Sequence, residues 1–279
     1  MPPDHHEAKR AGALDQWSRR ARSFLWRGGR RAGSVLRHAG GRAATTLRHG
    51  GLRYVCPICR GRFRRFEPAP NGRPNASCPR CGSLERHRRI WLYLHTRTEL
   101  FDRPTRLLHV APEPCLTERL RASPAVDYLS GDLTPGVGMV TLDLTDLDFA
   151  DESFDAALCL HVLEHVPDDR TAMKELHRVL RPGGWCLVEV PLRGEETVEG
   201  WPGMAGEERE RCFYQSDHER LYGRGDLAKR LQEAGFGVEV DVYRDELAPE
   251  VRRRHRLALD LGPEVEASDE PWITFRCSR

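Results

Sequence analysis

Phe154-Asp155-Ala156-Ala157-Leu158-Cys159-Leu160, followed at once by His161-Val162-Leu163-Glu164-His165, is the stretch on which the fold turns. Its first seven residues, six of them apolar, read as a strand. A helix is expected next, from about Asp169 to Leu180. Pro182-Gly183-Gly184 then reads as the turn into another strand, Trp185–Val190. Working upstream, Arg106–Val110 reads as a buried strand, Pro114–Arg121 as a helix, and Ala125–Leu129 and Met139–Leu142 as two more strands. Downstream, residues 193–216 form a polar insertion with little regular patterning. A helix over Asp226–Ala234, a strand over Val238–Tyr243, a helix over 249–260 and a last strand over Trp272–Cys277 complete the pattern. Strands alternating with helices predict an α/β fold, a mostly parallel sheet covered on both faces.

In such a sheet, ligands bind outside the carboxyl ends of the central strands. The residues after each strand therefore matter most. They are His109 to Glu113 after the first, Gly131-Asp132 after the second, Asp143-Leu144 after the third and His161 to His165 after the fourth. Asp132 stands about twenty residues beyond the first strand, where a carboxylate can accept both hydroxyls of a ribose. If a helix starts near His161, the spacing puts His161, Glu164 and His165 on one face. With His218 they would make either a divalent-metal site or a base for a hydroxyl acceptor. The alternative is that Glu164 and His165 hold the helix entry.

A second pattern lies at the other end of the chain. Cys56 and Cys59, then Cys78 and Cys81, form two Cys-x-x-Cys pairs separated by eighteen residues. Four thiolates at that spacing suit a tetrahedral zinc site; two disulfides or four unrelated thiols are the plain alternative. Tyr54, Phe63 and Phe66 are expected to pack over the metal, because so small a module buries too little apolar surface on its own. Ser83 reads as the N-cap of a helix carrying Glu85 in its first turn and running toward Leu100.

The near-neutral total hides an asymmetry. Residues 1–97 carry 22 Lys/Arg against 5 Asp/Glu, and residues 98–279 carry 22 against 37. The basic half implies an anionic partner, nucleic acid or a lipid surface, unless arm and domain attract each other. Leu14, Trp17, Ala21, Phe24 and Leu25 share one helical face. Residues 14–27 thus suit peripheral membrane contact, RNA contact or docking on the rest of the chain. No apolar run approaches the ~20 residues of a membrane span. The nine cysteines, scattered and odd in number, fit a reducing cytoplasm. The expected organisation is a basic, partly disordered arm over 1–52, a Cys₄ zinc ribbon over 53–82 and an α/β domain over 83–279.

Asp151-Glu152-Ser153-Phe154-Asp155, His161 to Pro167 and Glu175 to Gly184 together resemble the class I S-adenosylmethionine-dependent methyltransferases. Cys81 to Arg88, Leu108 to Glu113 and Asp217 to Gly223 are similar to a subgroup with an N-terminal zinc ribbon. The resemblance covers about residues 54–279. It implies a Rossmann-like seven-stranded sheet, a sulfonium methyl donor and methyl transfer aided mostly by proximity and alignment. Carried over, Asp132 would hold the ribose and Asp143 with the backbone of Leu144 the adenine edge. His109 to Glu113, including Ala111, would pass under the methionine part. The glycine-rich turn usual after the first strand is absent. Glu113 is therefore expected to accept the donor's ammonium, and Arg86 or Arg88 its carboxylate. His161, His165 and His218 are the catalytic candidates. The expected acceptor is an oxygen or nitrogen of a small molecule, metabolite or glycan. An RNA methyltransferase, with the ribbon and arm holding RNA, and a non-catalytic binding protein on the same scaffold are the alternatives.

Overall fold

The computed structural model of the protein describes residues 49–70, 72–241, 243–257 and 274–279, which form two compact units. The basic arm and the helix expected over residues 14–27 lie outside the described residues. One unit contains residues of 49–88, 148–150 and 250–257; the other contains residues of 89–147, 151–249 and 274–279.

In the first unit, β1 (Gly50–Val55) pairs antiparallel with β2 (Arg62–Phe63). Tyr54, Phe63 and Phe66 are buried, with ring centroids 5.6–5.7 Å apart along the row. Helix α1 (Glu85–Thr96) starts in this unit. Its entry corrects the expected cap: the Leu84 N–H donates to His87 Nδ1 at 3.1 Å, while Ser83 Oγ lies 3.3 Å from the sulfurs of both Cys56 and Cys81.

The second unit is built on one seven-stranded sheet. Its strands in chain order are β3 (Thr105–Val110), β4 (Val126–Asp132), β5 (Val140–Thr141), β6 (Phe154–Leu160), β7 (Leu180–Glu189), β10 (Gly237–Asp241) and β11 (Thr274–Ser278). Between β7 and β10 lie two short strands, β8 (Val198–Glu199) and β9 (Arg220–Leu221), which pair only with each other. The spatial order is β10-β11-β7-β6-β3-β4-β5, parallel except for β11. Leu107, Leu108, Phe154, Ala156, Ala157, Leu158 and Cys159 are buried, and the lack of alternation follows from cover on both faces. Helix α2 (Pro114–Arg121) has its proline where the missing N–H is harmless. Helix α3 (Asp169–Val179) is capped by Asp168, which accepts from the Thr171 N–H, and buries Ala172, Met173, Leu176 and Val179.

Two expectations change here. Pro182-Gly183-Gly184 is not a turn before β7 but lies inside it, where the register against β6 shifts. Gly183, at φ +77°, supplies the backbone conformation this bulge needs. The polar insertion is also more regular than expected: beside β8 it holds helix α4 (Gly206–Phe213), anchored by a cluster of Met204, Phe213 and Leu221. The chain closes with α5 (Arg224–Glu233), α6 (Tyr243–Glu246) and α7 (Pro249–His255).

At the carboxyl end of β7, Glu189 is 2% exposed and is held by Arg89 and by Thr274 Oγ1, the latter donating at 2.7 Å. Removing one partner strands a buried charge, so Arg89→Met is expected to destabilise the fold by about 3–5 kcal/mol in chemical denaturation. The double change Arg89→Met/Glu189→Met should recover most of that loss.

Candidate active site

The connection from β3 leads to β4 on one side and that from β6 leads to β7 on the other, so the switch point of the sheet, where a ligand crevice is expected, lies at the carboxyl ends of β3 and β6. Both exits take left-handed backbone at non-glycine residues: Ala111 at φ +47° and His161 at φ +55°. Such conformations are uncommon and persist where neighbours hold them. The Ala111 N–H donates to Gly131 O at 2.8 Å, and the His161 N–H donates to Glu189 O at 2.7 Å. The sharp turn that glycine usually provides is therefore present without glycine. His161 consequently does not begin a helix; only a single 3-10 turn, Leu163–His165, follows.

Behind the first exit runs a buried polar chain. His109 is fully buried, with Nδ1 3.0 Å from the Tyr128 hydroxyl and Nε2 2.8 Å from Glu113 Oε2. Tyr128 donates to Thr117 Oγ1 at 3.2 Å, and burial raises its pKa. His109 thus orients Glu113. One Glu113 oxygen is already engaged at the start of α2.

The acidic residues come together through the sheet register. Asp132 ends β4 opposite Thr141 of β5, two residues before Asp143. Asp132 Oδ1 accepts the Thr134 N–H at 2.7 Å. Asp143 Oδ1 accepts the Thr145 N–H at 2.8 Å and its hydroxyl at 2.7 Å, which hold the exposed carboxyl below its usual pKa. Gly131 is required between them, since a Cβ there would meet Leu142 at 2.6 Å. Leu144, expected beside Asp143, is buried.

At the second exit, Glu164 and His218 are buried, and the rings of His165 and His218 lie 4.6 Å apart. His161 Nδ1 lies 3.4 Å from Glu164 Oε1, so the three histidines and the glutamate gather despite the missing helix. Burial lowers the pKa of His218 and favours its neutral form, with Glu164 acting in the opposite direction. Arg220 fastens this region: it donates to the carbonyls of Leu163 (3.1 Å), Val166 (2.6 Å) and Pro167 (2.8 Å). Sequence reasoning gave no role to Arg220, Tyr128 or Asp217. The first and last sat inside a quoted motif, which was the only available signal.

In the first unit, the four cysteine sulfurs lie within 4.8 Å of one another, with Cys56–Cys81 and Cys59–Cys78 each at 3.6 Å. Zinc–sulfur bonds of about 2.3 Å in a tetrahedron put sulfurs about 3.8 Å apart, so the cluster fits zinc. No disulfide joins them. Arg88 is fully buried and spends its guanidinium on the carbonyls of Ala76, Ser83, His255 and Arg256. That corrects the expectation that Arg88 is available to a ligand. Arg86 sits in the first turn of α1 in this unit, with its Nε lacking a hydrogen-bond partner.

The chain is similar to known proteins over part of its length. Residues 110–188 match the family described as "Methyltransferase domain". The chain is 32% identical over 124 residues to the O-methyltransferase cnsE of Penicillium expansum, covering 44% of this chain and 42% of that protein. It is also 32% identical over 133 residues to the O-methyltransferase resE of Aspergillus sclerotiorum, covering 43% and 44%. The chain thus spans less than half the length of these relatives. A solved S-adenosylmethionine-dependent methyltransferase from Mesorhizobium loti aligns with a TM-score of 0.48 and 18% identity, over 68% of this chain and 98% of that one. Residues 110–188, which run from the end of β3 to near the end of β7 in the mostly parallel seven-stranded sheet, are thus the part of the chain similar to the methyltransferase-domain family.

Tyr128→Phe deletes the hydroxyl between His109 and Thr117, leaving buried polar atoms unpaired. A loss of about 1–3 kcal/mol in unfolding free energy is expected, without change of secondary structure by circular dichroism.

Proposed function

We propose that the chain transfers a methyl group from S-adenosylmethionine to an oxygen or nitrogen of a small-molecule, metabolite or glycan acceptor, and that its four cysteines hold a structural zinc ion. The observation that carries the reading is the placement of two carboxylates, Asp132 at the end of β4 and Asp143 two residues past the neighbouring β5, beside the left-handed exit of β3. The donor, when bound, supplies a methyl group already activated on a positively charged sulfur. Asp132 keeps one oxygen for ribose hydroxyls, and Asp143 with the backbone of Leu144 takes the adenine edge. Glu113, oriented by His109, receives the ammonium. The crevice then contributes alignment and exclusion of water. The imidazole of His161 stands at the other lip to take a proton from the acceptor, with His165 and His218 behind it. The O-methyltransferase names of cnsE and resE support an oxygen acceptor.

A specific observation favours RNA as the second reading. The first unit has a cavity of about 680 Å³ lined by Arg53, Arg62, Arg253, Arg254 and Arg256, with Tyr54 between them. Guanidinium groups gathered around one opening suit a phosphate backbone.

Tritiated methyl transfer into fractionated cell extract separates these readings. Label in the small-molecule fraction supports the first, and label in RNA, with binding that weakens steeply as salt rises, supports the second. An absence of transfer with donor binding intact would leave a binding protein on this scaffold. Asp132→Asn is expected to weaken donor binding at least ~10-fold by titration calorimetry, the scale of one lost charge-assisted hydrogen bond. Chelation of the ribbon metal is expected to release one zinc per chain and to unfold the four-cysteine unit, followed by near-ultraviolet circular dichroism.

A further inference from the structure

The cluster at the second exit carries a feature that donor binding leaves unexplained. Glu164 is 1% exposed and neither of its carboxylate oxygens has a hydrogen-bond partner. His218 is fully buried, and neither of its ring nitrogens makes a hydrogen bond of good geometry, the Phe213 backbone being a polar group close enough to act on the ring. A carboxylate taken out of water without donors is strongly unfavourable, by several kcal/mol for the ion. The nearest cationic candidate, His161 Nδ1, stops 3.4 Å short of Oε1. One ligand atom each from Glu164, His165 and His218 lies within 4.8 Å of the others.

We propose that Glu164, His165 and His218 bind a divalent transition-metal cation. One oxygen and two imidazole nitrogens are a borderline donor set, suited to manganese, iron, cobalt, nickel or zinc. Magnesium and calcium prefer oxygen throughout. An ion with bonds of about 2.1 Å joins donors up to about 4.2 Å apart, so little closure of the cluster is needed.

Two further features fit a ligand set. His165 Nδ1 lies 3.2 Å from Asp217 Oδ2, the carboxylate contact that characteristically fixes the second nitrogen of a metal-bound histidine. The segments that carry the ligands are also tied together. The Glu219 N–H donates to Glu164 O at 2.7 Å, and Arg220 grips the carbonyls on either side of the turn. The site is thus held before any ion arrives.

Three protein ligands leave open coordination positions. The role this gives the cation rests on the methyl-transfer reading, whereas the metal site does not. An acceptor hydroxyl bound at an open position would give its proton to His161. Its oxygen would then form a bond to the methyl carbon while the carbon–sulfur bond breaks. That electron pair stays on sulfur, which leaves as a neutral thioether.

The test is a titration of the full chain, its four-cysteine metal in place, with Mn²⁺, following free Mn²⁺ by electron paramagnetic resonance. Manganese competes poorly for thiolates and so reports the nitrogen–oxygen site. One Mn²⁺ per chain is expected, displaced by Zn²⁺ or Co²⁺. Affinity should fall at least ~10-fold in Glu164→Gln and in His165→Ala, and about 10-fold in Asp217→Asn. The side chains of His165 and Asp217 are 32% and 69% exposed, so those two variants keep the fold even if Glu164→Gln does not. No bound Mn²⁺ in the parent chain, or undiminished binding in His165→Ala, overturns the site. S-adenosylhomocysteine binding measured on the same samples separates the two claims. Mn²⁺ binding without it sinks the methyl-transfer reading and keeps the metal, and the converse sinks the metal alone.

Discussion

The register of β3 against β6 is the constraint on which the second unit depends. Leu107 faces Ala156 and Val110 faces Cys159, so the two central strands end almost level. Their exits, Ala111 and His161, then turn back in the same unusual left-handed conformation. A slip of one residue would exchange the two buried faces of a strand. It would also part the histidine–tyrosine–glutamate chain behind one lip from the histidine–glutamate cluster at the other. The two lips are fixed by different means. Behind β3, buried side chains on β3, β4 and α2 hold Glu113 in place; beyond β6, Arg220 reaches across to three backbone carbonyls.

The four-cysteine unit follows a different logic. Its aromatic row is short, and among the described residues its strands number two. Such a unit is held by its clustered cysteines and by Arg88, whose four carbonyl partners span residues 76 to 256. Ser83 serves the sulfurs rather than the helix, so its hydroxyl belongs to the cluster's outer shell.

Much of this was legible in the chain. Strand β6 and helix α2 coincide with the expected Phe154–Leu160 and Pro114–Arg121, because an unbroken apolar run and a proline at the first helical turn are unambiguous local signals. The four-cysteine cluster was legible for a similar reason, since spacing alone brings two pairs together. What stayed hidden depended on distant partners. The helical start at His161 failed because a backbone bond to Glu189 imposes a turn no local pattern announces. Leu180 joins β7 ahead of Pro182-Gly183-Gly184 only because β6 offers a partner across a bulge. Helix α4 looked irregular because only Phe213 of its residues is buried, and that one packs on Met204 and Leu221. Among the described residues no helix is long and apolar enough to cross a membrane, in keeping with the absence of long apolar runs.

The central claim is that the lip formed by Ala111, Glu113, Asp132 and Asp143 holds a nucleoside carrying a charged sulfur substituent, although glycine is missing from its turn. Crystals of the full chain grown with S-adenosylhomocysteine test this most directly. The account predicts density for the nucleoside at the carboxyl ends of β3 and β4, with the ribose on Asp132. A crevice filled by the chain's own side chains, with the compound absent at saturating concentration, would contradict it.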